Sequence, residues 1–147
     1  MFDLAIVFET SSELGLEHFL SGIEFIGKLL PMFDISPTAT RVNVVLFNAI
    51  AFSVVTFDQP YYQNIDALKA GVQYLPRYLP SGKRLDKALQ YVNDNVFTVE
   101  RGDRPDAKNV AVFLTDGWIH GGNDISGIVS ALRVRFCMTN FYFFYCP

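Results

Sequence analysis

The sequence predicts a doubly wound α/β fold, in which a mostly parallel sheet carries one antiparallel edge strand and helices on both faces. Residues 4–8 and 110–114 are short, continuous apolar runs, as expected of strands that helices cover on both sides. Residues 41–47 and 51–57 are strand-like and are joined by only three residues. Such a short connection forces an antiparallel hairpin, because a parallel pair needs a crossover of about a dozen residues.

Apolar residues at helical spacing predict the helices that cover this sheet. The helical patterns lie at residues 12–30, 65–75, 85–96 and 125–132. The first helix is expected to begin at Ser12, because Ser11 or Ser12 followed by acidic residues suits a helix N-terminus. Prolines at positions 31 and 76 end the first and second helices, as this residue cannot continue a helix.

The chain has 147 residues, of which 50% are hydrophobic and 18% are charged, and this length and composition indicate one globular domain. The net charge of −3 gives no electrostatic reason to expect a nucleic acid as partner. No apolar run approaches the about 20 residues of a membrane-spanning helix. The first residues lack the basic region and the cleavage site of a signal peptide.

Residues 134–147 form an aromatic tail that we set apart from a domain of residues 1–133. The tail is either an additional strand beside residues 110–114 or sequence that does not belong to the domain. The strand is favoured, because an aromatic run is costly to leave in water. Cys137 and Cys146 lie in this tail, and they either close a small loop in an oxidising compartment or remain two thiols.

Oxygen-bearing side chains follow the two predicted core strands. Glu9, Ser11 and Glu13 come directly after the first strand, and Asp116 ends the second. Because ligands bind at the carboxyl ends of strands in such sheets, we expect these side chains to share one edge. Oxygen ligands in a cluster suit a hard cation such as Mg²⁺. Trp118 follows in the next loop, where it either anchors a partner or covers the sheet edge.

These patterns resemble the von Willebrand factor A domain, a Rossmann-like fold, and most of all its type VI collagen and matrilin branch. The likeness covers residues 3–133 and rests on FDLAIVFETSS at 2–12, RVNVVLF at 41–47, LDKALQYV at 85–92 and VFLTDG at 112–117. The resemblance implies an incomplete domain, with the last strand and helix missing. It also implies an extracellular, non-enzymatic protein-binding module of matrix assembly or cell adhesion, with collagen, other matrix proteins or cell-surface proteins as partners.

The resemblance also implies a position for a metal-ion-dependent adhesion site. The family motif is Asp-x-Ser-x-Ser, with a Thr on a second loop and an Asp on a third. These positions fall on Glu9, Ser11, Glu13, Lys83 and Asp116, of which only Ser11 and Asp116 keep the expected residue. Lys83 is the largest departure, because an ammonium has three donors and no acceptor. It would repel a divalent ion about 4 Å away by several kcal/mol.

Three arrangements of this site follow. In the favoured one, Lys83 takes the place of the metal and is bonded to Glu9, Glu13 and Asp116. No cofactor is then bound, and protein binding is independent of metal. In the second, Lys83 points to solvent, and Glu9, Ser11, Glu13 and Asp116 hold a weakly bound Mg²⁺ or Ca²⁺ in a metal-dependent adhesion domain. In the third, the site is a solvated rim that binds nothing. A separate alternative for the function is a truncated, non-functional fragment of a larger matrix protein.

Other motifs in the chain give little support for a different function. Arg101-Gly102-Asp103 spells the integrin-recognition tripeptide, but turns favour Gly and Asp for ordinary reasons. His18 and His120 have no Cys or carboxylate partners at zinc spacing. No catalytic triad can be proposed from two histidines placed in this way. An enzyme is therefore not expected.

Overall fold

The computed structural model describes residues 1–77 and 80–116 and, farther along the chain, the strand Tyr142–Phe144. The strands and helices are β1 Phe2–Glu9, α1 Leu16–Leu29, β2 Thr40–Phe47, β3 Ala51–Val55, α2 Ile65–Gln73, α3 Leu85–Tyr91, β4 Lys108–Leu114 and β5 Tyr142–Phe144. Short 3-10 helical turns lie at Leu30–Met32, Pro60–Tyr62 and Val99–Arg101, and the π-helical segment Val92–Val96 follows α3 directly.

The five described strands form one sheet in the order β3-β2-β1-β4-β5. β1 pairs in parallel with β2 and β4, and β5 pairs in parallel with β4. β3 runs antiparallel to β2 at the edge. Phe8 lies opposite Leu114 in the register, so β1 and β4 end at the same edge. The predicted mostly parallel sheet with one antiparallel edge strand is confirmed.

The two faces of the sheet carry separate hydrophobic cores, because successive side chains of a strand point to opposite faces. On one face, Leu4, Ile6 and Phe8 of β1 pack with residues of α1 and α2. On the other face, Ala5 and Val7 pack with residues of α3. Burial of a Leu, Ile, Val or Phe side chain contributes about 1.5–3 kcal/mol. Helices on both faces are therefore confirmed, and they keep β1 in the middle of the core.

The first helix begins at Leu16 rather than at Ser12, so the predicted start is wrong. The chain first makes a turn, in which the Leu14 N–H donates to the Ser11 carbonyl at 3.1 Å and to Ser11 Oγ at 3.3 Å. The helix then starts after Gly15, which makes no side-chain capping hydrogen bond. The predicted role of Ser11 or Ser12 as the cap of this helix is also wrong, because the helix follows Gly15; Ser11 Oγ instead accepts from the turn before the helix and donates to Glu9.

Several predictions fall beyond the described part of the chain. The helix expected at residues 125–132, the boundary between residues 133 and 134, Trp118 and both cysteines lie outside the described residues. Within the aromatic tail, Tyr142–Phe144 form β5 beside β4, which is the additional strand that the sequence left open as one alternative. Among the described residues, no helix has the length and apolar character needed to cross a membrane.

A buried ion pair between Arg104 and Asp3 lies at the end of the sheet opposite the predicted site. Arg104 Nη2 lies 2.6 Å from Asp3 Oδ1, and the Arg104 N–H donates to Asp3 Oδ2 at 2.8 Å. The same guanidinium donates to the carbonyls of Phe2 and Ala39 at 2.8 and 3.0 Å. The loop before β4 is therefore attached to the first residues of β1 and to the residue before β2.

The tripeptide Arg101-Gly102-Asp103 lies in the same loop, and its glycine has a structural reason. Gly102 has a φ of 86°, in the left-handed region that other residues rarely adopt. A Cβ at this position would lie 2.7 Å from the backbone nitrogen of Asp58. Arg41 Nη1 also donates to the Gly102 carbonyl at 3.3 Å. The turn and its close packing explain this glycine without integrin recognition.

Candidate functional site

Three segments of the chain meet at the carboxyl edge of β1 and β4. These are the residues after β1, the loop before α3 and the residues after β4. Backbone hydrogen bonds connect the first two segments to the β2–β3 hairpin, since the Thr10 N–H donates to Phe47 O at 2.8 Å and the Arg84 N–H donates to Asn48 O at 3.0 Å. We call Glu9, Ser11, Glu13, Lys83 and Asp116 the candidate binding rim. Trp118, the sixth predicted residue, lies outside the described residues.

Lys83 points into the rim and is only 4% exposed. Its ammonium donates a short, charge-assisted hydrogen bond to Asp116 Oδ2 and lies 3.5 Å from Glu9 Oε1. The Glu9 side chain is fully buried, and that of Asp116 is 15% exposed. A buried charge is costly unless it is paired and hydrogen-bonded. Lys83 therefore supplies the positive charge that two carboxylates at this edge require.

Both carboxylate oxygens of Glu9 accept hydrogen bonds from neighbouring hydroxyls. Ser11 Oγ donates to Glu9 Oε1 at 2.7 Å, and Thr115 Oγ1 donates to Glu9 Oε2 at 2.6 Å. Thr115 was not among the residues that the sequence indicated. The signal that could have found it is a hydroxyl residue directly before Asp116, where β4 ends. Together with Lys83, these donors hold Glu9 in one place as a buried carboxylate.

Glu13 lies on the outer side of the rim, where it is exposed. Its Oε1 accepts a hydrogen bond from the Gly82 N–H at 3.2 Å. Gly82 has a φ of 115°, and a Cβ there would lie 3.1 Å from the Ala49 Cβ and 3.2 Å from its Cα. Glycine at position 82 therefore lets the loop before α3 pass close to the hairpin and presents Lys83 to the carboxylates.

A second ion pair fixes the residue that follows Lys83. Arg84 Nε and Nη2 donate to the two carboxylate oxygens of Asp86 at 2.7 and 2.5 Å. These hydrogen bonds hold the pKa of Asp86 below its usual range and raise the pKa of Arg84. Asp86 is in the first turn of α3, where negative charge is favourable. The loop that carries Lys83 is therefore anchored on both of its sides.

The side chains of the rim do not fit a resident divalent ion beside Lys83. The ammonium already lies between Glu9 and Asp116, the carboxylates that such an ion would need. Ser11 Oγ directs its proton to Glu9. In residues 1–77 and 80–116, no three His, Cys, Asp or Glu side chains form a group that could hold a metal ion. An ion and an ammonium about 4 Å apart would repel by several kcal/mol.

Comparisons with known proteins agree with this fold. The family model of the von Willebrand factor type A domain matches residues 3–141. The chain is 30% identical over 131 residues to mouse von Willebrand factor A domain-containing protein 2. The aligned residues are 89% of this chain and 16% of that protein. It is 29% identical over 115 residues to human matrilin-1, covering 78% of this chain and 23% of that protein. The chain thus spans less than a quarter of either relative.

Solved structures show the same fold at low sequence identity. Proximal thread matrix protein 1 from the mussel byssus aligns with a TM-score of 0.85 and 19% identity, covering 95% of this chain and 36% of that chain. A further structure of the mussel protein, with a TM-score of 0.84 and 18% identity over 95% and 36% of the two chains, has a zinc-occupied MIDAS motif, the metal-ion-dependent adhesion site. At these identities the likeness bears on the fold alone.

Proposed function

Because the chain belongs to the von Willebrand factor type A domain family, we propose that it is a non-enzymatic protein–protein interaction module of an extracellular matrix or adhesion protein. Matrilin-1 and von Willebrand factor are among its relatives. The candidate partners are collagen, other matrix proteins and cell-surface proteins. An extracellular location is part of the same proposal. The rim at the carboxyl edge of β1 and β4 is the surface that we assign to the partner.

The observation that carries this proposal is the internal charge pairing of the rim. Glu9 and Asp116 are both engaged by Lys83, and Glu9 also accepts two hydroxyl hydrogen bonds. These buried contacts fix the loops that carry the exposed Glu13, and they do not present an available acid and base for proton transfer. Fixed side chains favour binding, because less conformational entropy is lost on association. The same pairing supports binding that does not require a divalent ion.

Binding to immobilised matrix proteins tests the proposal. Collagen VI, collagen I and fibronectin are presented on a sensor surface, and the chain is passed over each in buffer with Mg²⁺, with Ca²⁺ or with EDTA. We expect saturable binding to at least one of these proteins, with the same affinity in all three buffers. Glu13→Ala, on the exposed side of the rim, should weaken it. Glu17→Ala, an exposed change on α1, is the matched control.

The outcomes separate the remaining alternatives. Loss of binding in EDTA would favour a weak Mg²⁺- or Ca²⁺-dependent adhesion domain. Absence of binding to all three proteins would contradict the assignment to matrix partners. Equal affinity of Glu13→Ala and the unmodified chain would place the partner elsewhere on the domain.

A further inference from the structure

We propose that Lys83 is a permanent, covalently attached cation of the rim, and that the oxygen atoms around it form a latent Mg²⁺ site which is exposed only when Lys83 is replaced. The inference rests on the proposed function for the role of the rim, and it concerns the regulation of that rim. A module with such a cation keeps its binding surface assembled at any concentration of divalent ions.

The carboxylates of Glu9 and Asp116 require a cation between them. Glu9 is fully buried and Asp116 is mostly buried, and both approach the ammonium of Lys83. Like charges crowded at one site disfavour each other's charged form, and a buried carboxylate without a partner is costly. Lys83 is the lysine that the described structure places between them. The ammonium balances one of the two negative charges, whereas a divalent ion in its place would balance both.

Geometry keeps Lys83 in this position. The Gly82 N–H donates to Glu13 at 3.2 Å, and the Arg84 N–H donates to Asn48 O at 3.0 Å. The backbone on each side of Lys83 is therefore fixed, and the Arg84 side chain is fixed by its two bonds to Asp86. For the ammonium to turn out to solvent, it would have to leave both carboxylates. The arrangement in which Lys83 points away from the rim is not the one that these contacts produce.

The atoms that could bind a metal ion after removal of the ammonium are oxygen atoms. They are the carboxylates of Glu9 and Asp116 and the hydroxyls of Ser11 and Thr115, all within the hydrogen-bonded cluster described above. Oxygen ligands with two carboxylates are typical of Mg²⁺ sites, which also keep several waters. Lys83→Thr takes away the internal cation and adds a hydroxyl at position 83. The variant should therefore require an external cation at the place where the chain now provides its own.

Metal titration of the full chain tests this inference without any protein partner. Isothermal calorimetry with MgCl₂ and thermal unfolding with EDTA or MgCl₂ are carried out on the unmodified chain, Lys83→Thr and the control Lys87→Thr. Lys87→Thr removes the same charge one helical turn away, at an exposed position. We expect Lys83→Thr to bind Mg²⁺ at least about tenfold more tightly than the unmodified chain and Lys87→Thr do, which corresponds to about 1.4 kcal/mol. Lys83→Thr should also melt lower in EDTA and recover with Mg²⁺.

A double variant locates the site, and measurements on the unmodified chain keep the test decisive if a variant does not fold. Lys83→Thr with Asp116→Asn should lose the affinity that Lys83→Thr gains. Equal Mg²⁺ affinity of the unmodified chain and Lys83→Thr would overturn the inference, as would a folded Lys83→Thr that gains no affinity. If Lys83→Thr does not fold, a melting temperature of the unmodified chain that rises with Mg²⁺ overturns the inference, and one that does not change supports it. The outcome of this metal titration does not depend on whether a matrix partner is found for the chain.

Discussion

Replacement of Lys83 by methionine should destabilise the fold by an amount that the rim contacts define. The change removes the ammonium and keeps a side chain of similar length, so the packing of the stem is largely preserved. Breaking a buried ion pair by removal of one partner costs about 3–5 kcal/mol. Glu9 retains its bonds from Ser11 and Thr115, and Asp116 is partly exposed. We therefore expect the lower end of that range, about 3 kcal/mol.

Urea unfolding followed by circular dichroism measures this loss. For a domain of this size, 1 kcal/mol corresponds to a shift in melting temperature of about 2–4 °C, so the melting temperature should fall by roughly 10 °C. The midpoint in urea should fall while the slope is unchanged, which indicates altered stability with an unaltered native state. Lys87→Met, at an exposed position, should change the free energy of unfolding by less than about 0.5 kcal/mol.

A double-mutant cycle with Glu9→Gln assigns the loss to the ion pair. In the Glu9→Gln background the buried carboxylate is already neutral, so Lys83→Met should cost clearly less than in the unmodified chain. Residues in direct contact typically show interaction energies of about 0.5–3 kcal/mol. A value near zero for the cycle, or a Lys83→Met variant as stable as Lys87→Met, would refute the role of Lys83 as the cation that compensates the buried carboxylate.

The remaining predictions concern other buried polar groups. Arg104→Met should cost about 3–5 kcal/mol in urea unfolding, because Asp3 is fully buried and loses its partner; a loss below 1 kcal/mol would contradict this. Gln63→Leu should cost about 1–3 kcal/mol, because the amide of Gln63 bonds the N–H and C=O of Val42 at 2.8 and 3.2 Å. The bonds from Arg84 lower the pKa of Asp86 from its ordinary value of 3.8; this stabilisation is present above that value and is lost as the pH falls through the lower folded pKa. Asp86→Asn should therefore reduce the loss of stability on acidification, and an unchanged acid limb would contradict the assignment.

The sheet could be predicted from sequence because its signals are local. Continuous apolar runs identified β1 and β4, and the three-residue connection identified the β2–β3 hairpin. The start of α1 was wrong because Ser11 has two possible uses. A hydroxyl before acidic residues is typical of a helix cap, yet here Ser11 Oγ accepts from Leu14 in a turn that precedes the helix and donates to Glu9. The position of Glu9 and of the turn after it is set by long-range contacts with Thr115, Lys83 and Phe47, which the local sequence does not contain.

The members of the rim came from a family resemblance, and their arrangement came from the structure. The resemblance placed Lys83 opposite Glu9 and Asp116, but its direction depends on the anchors of the loop at Gly82 and Arg84. Thr115 was missed because a single hydroxyl beside a carboxylate is common. Gln63 was missed for a similar reason, as nothing in its neighbourhood indicates that its amide completes the hydrogen bonds of β2.

The central claim is that a lysine of the chain, rather than a metal ion, is the cation of the rim. A crystal grown in MnCl₂ tests it most directly, because Mn²⁺ takes the same oxygen ligands as Mg²⁺ and scatters anomalously. We expect electron density for Lys83 Nζ between Glu9 and Asp116 and no anomalous peak at the rim. An anomalous peak about 2 Å from their carboxylate oxygens, with the side chain of Lys83 turned away, would contradict the account.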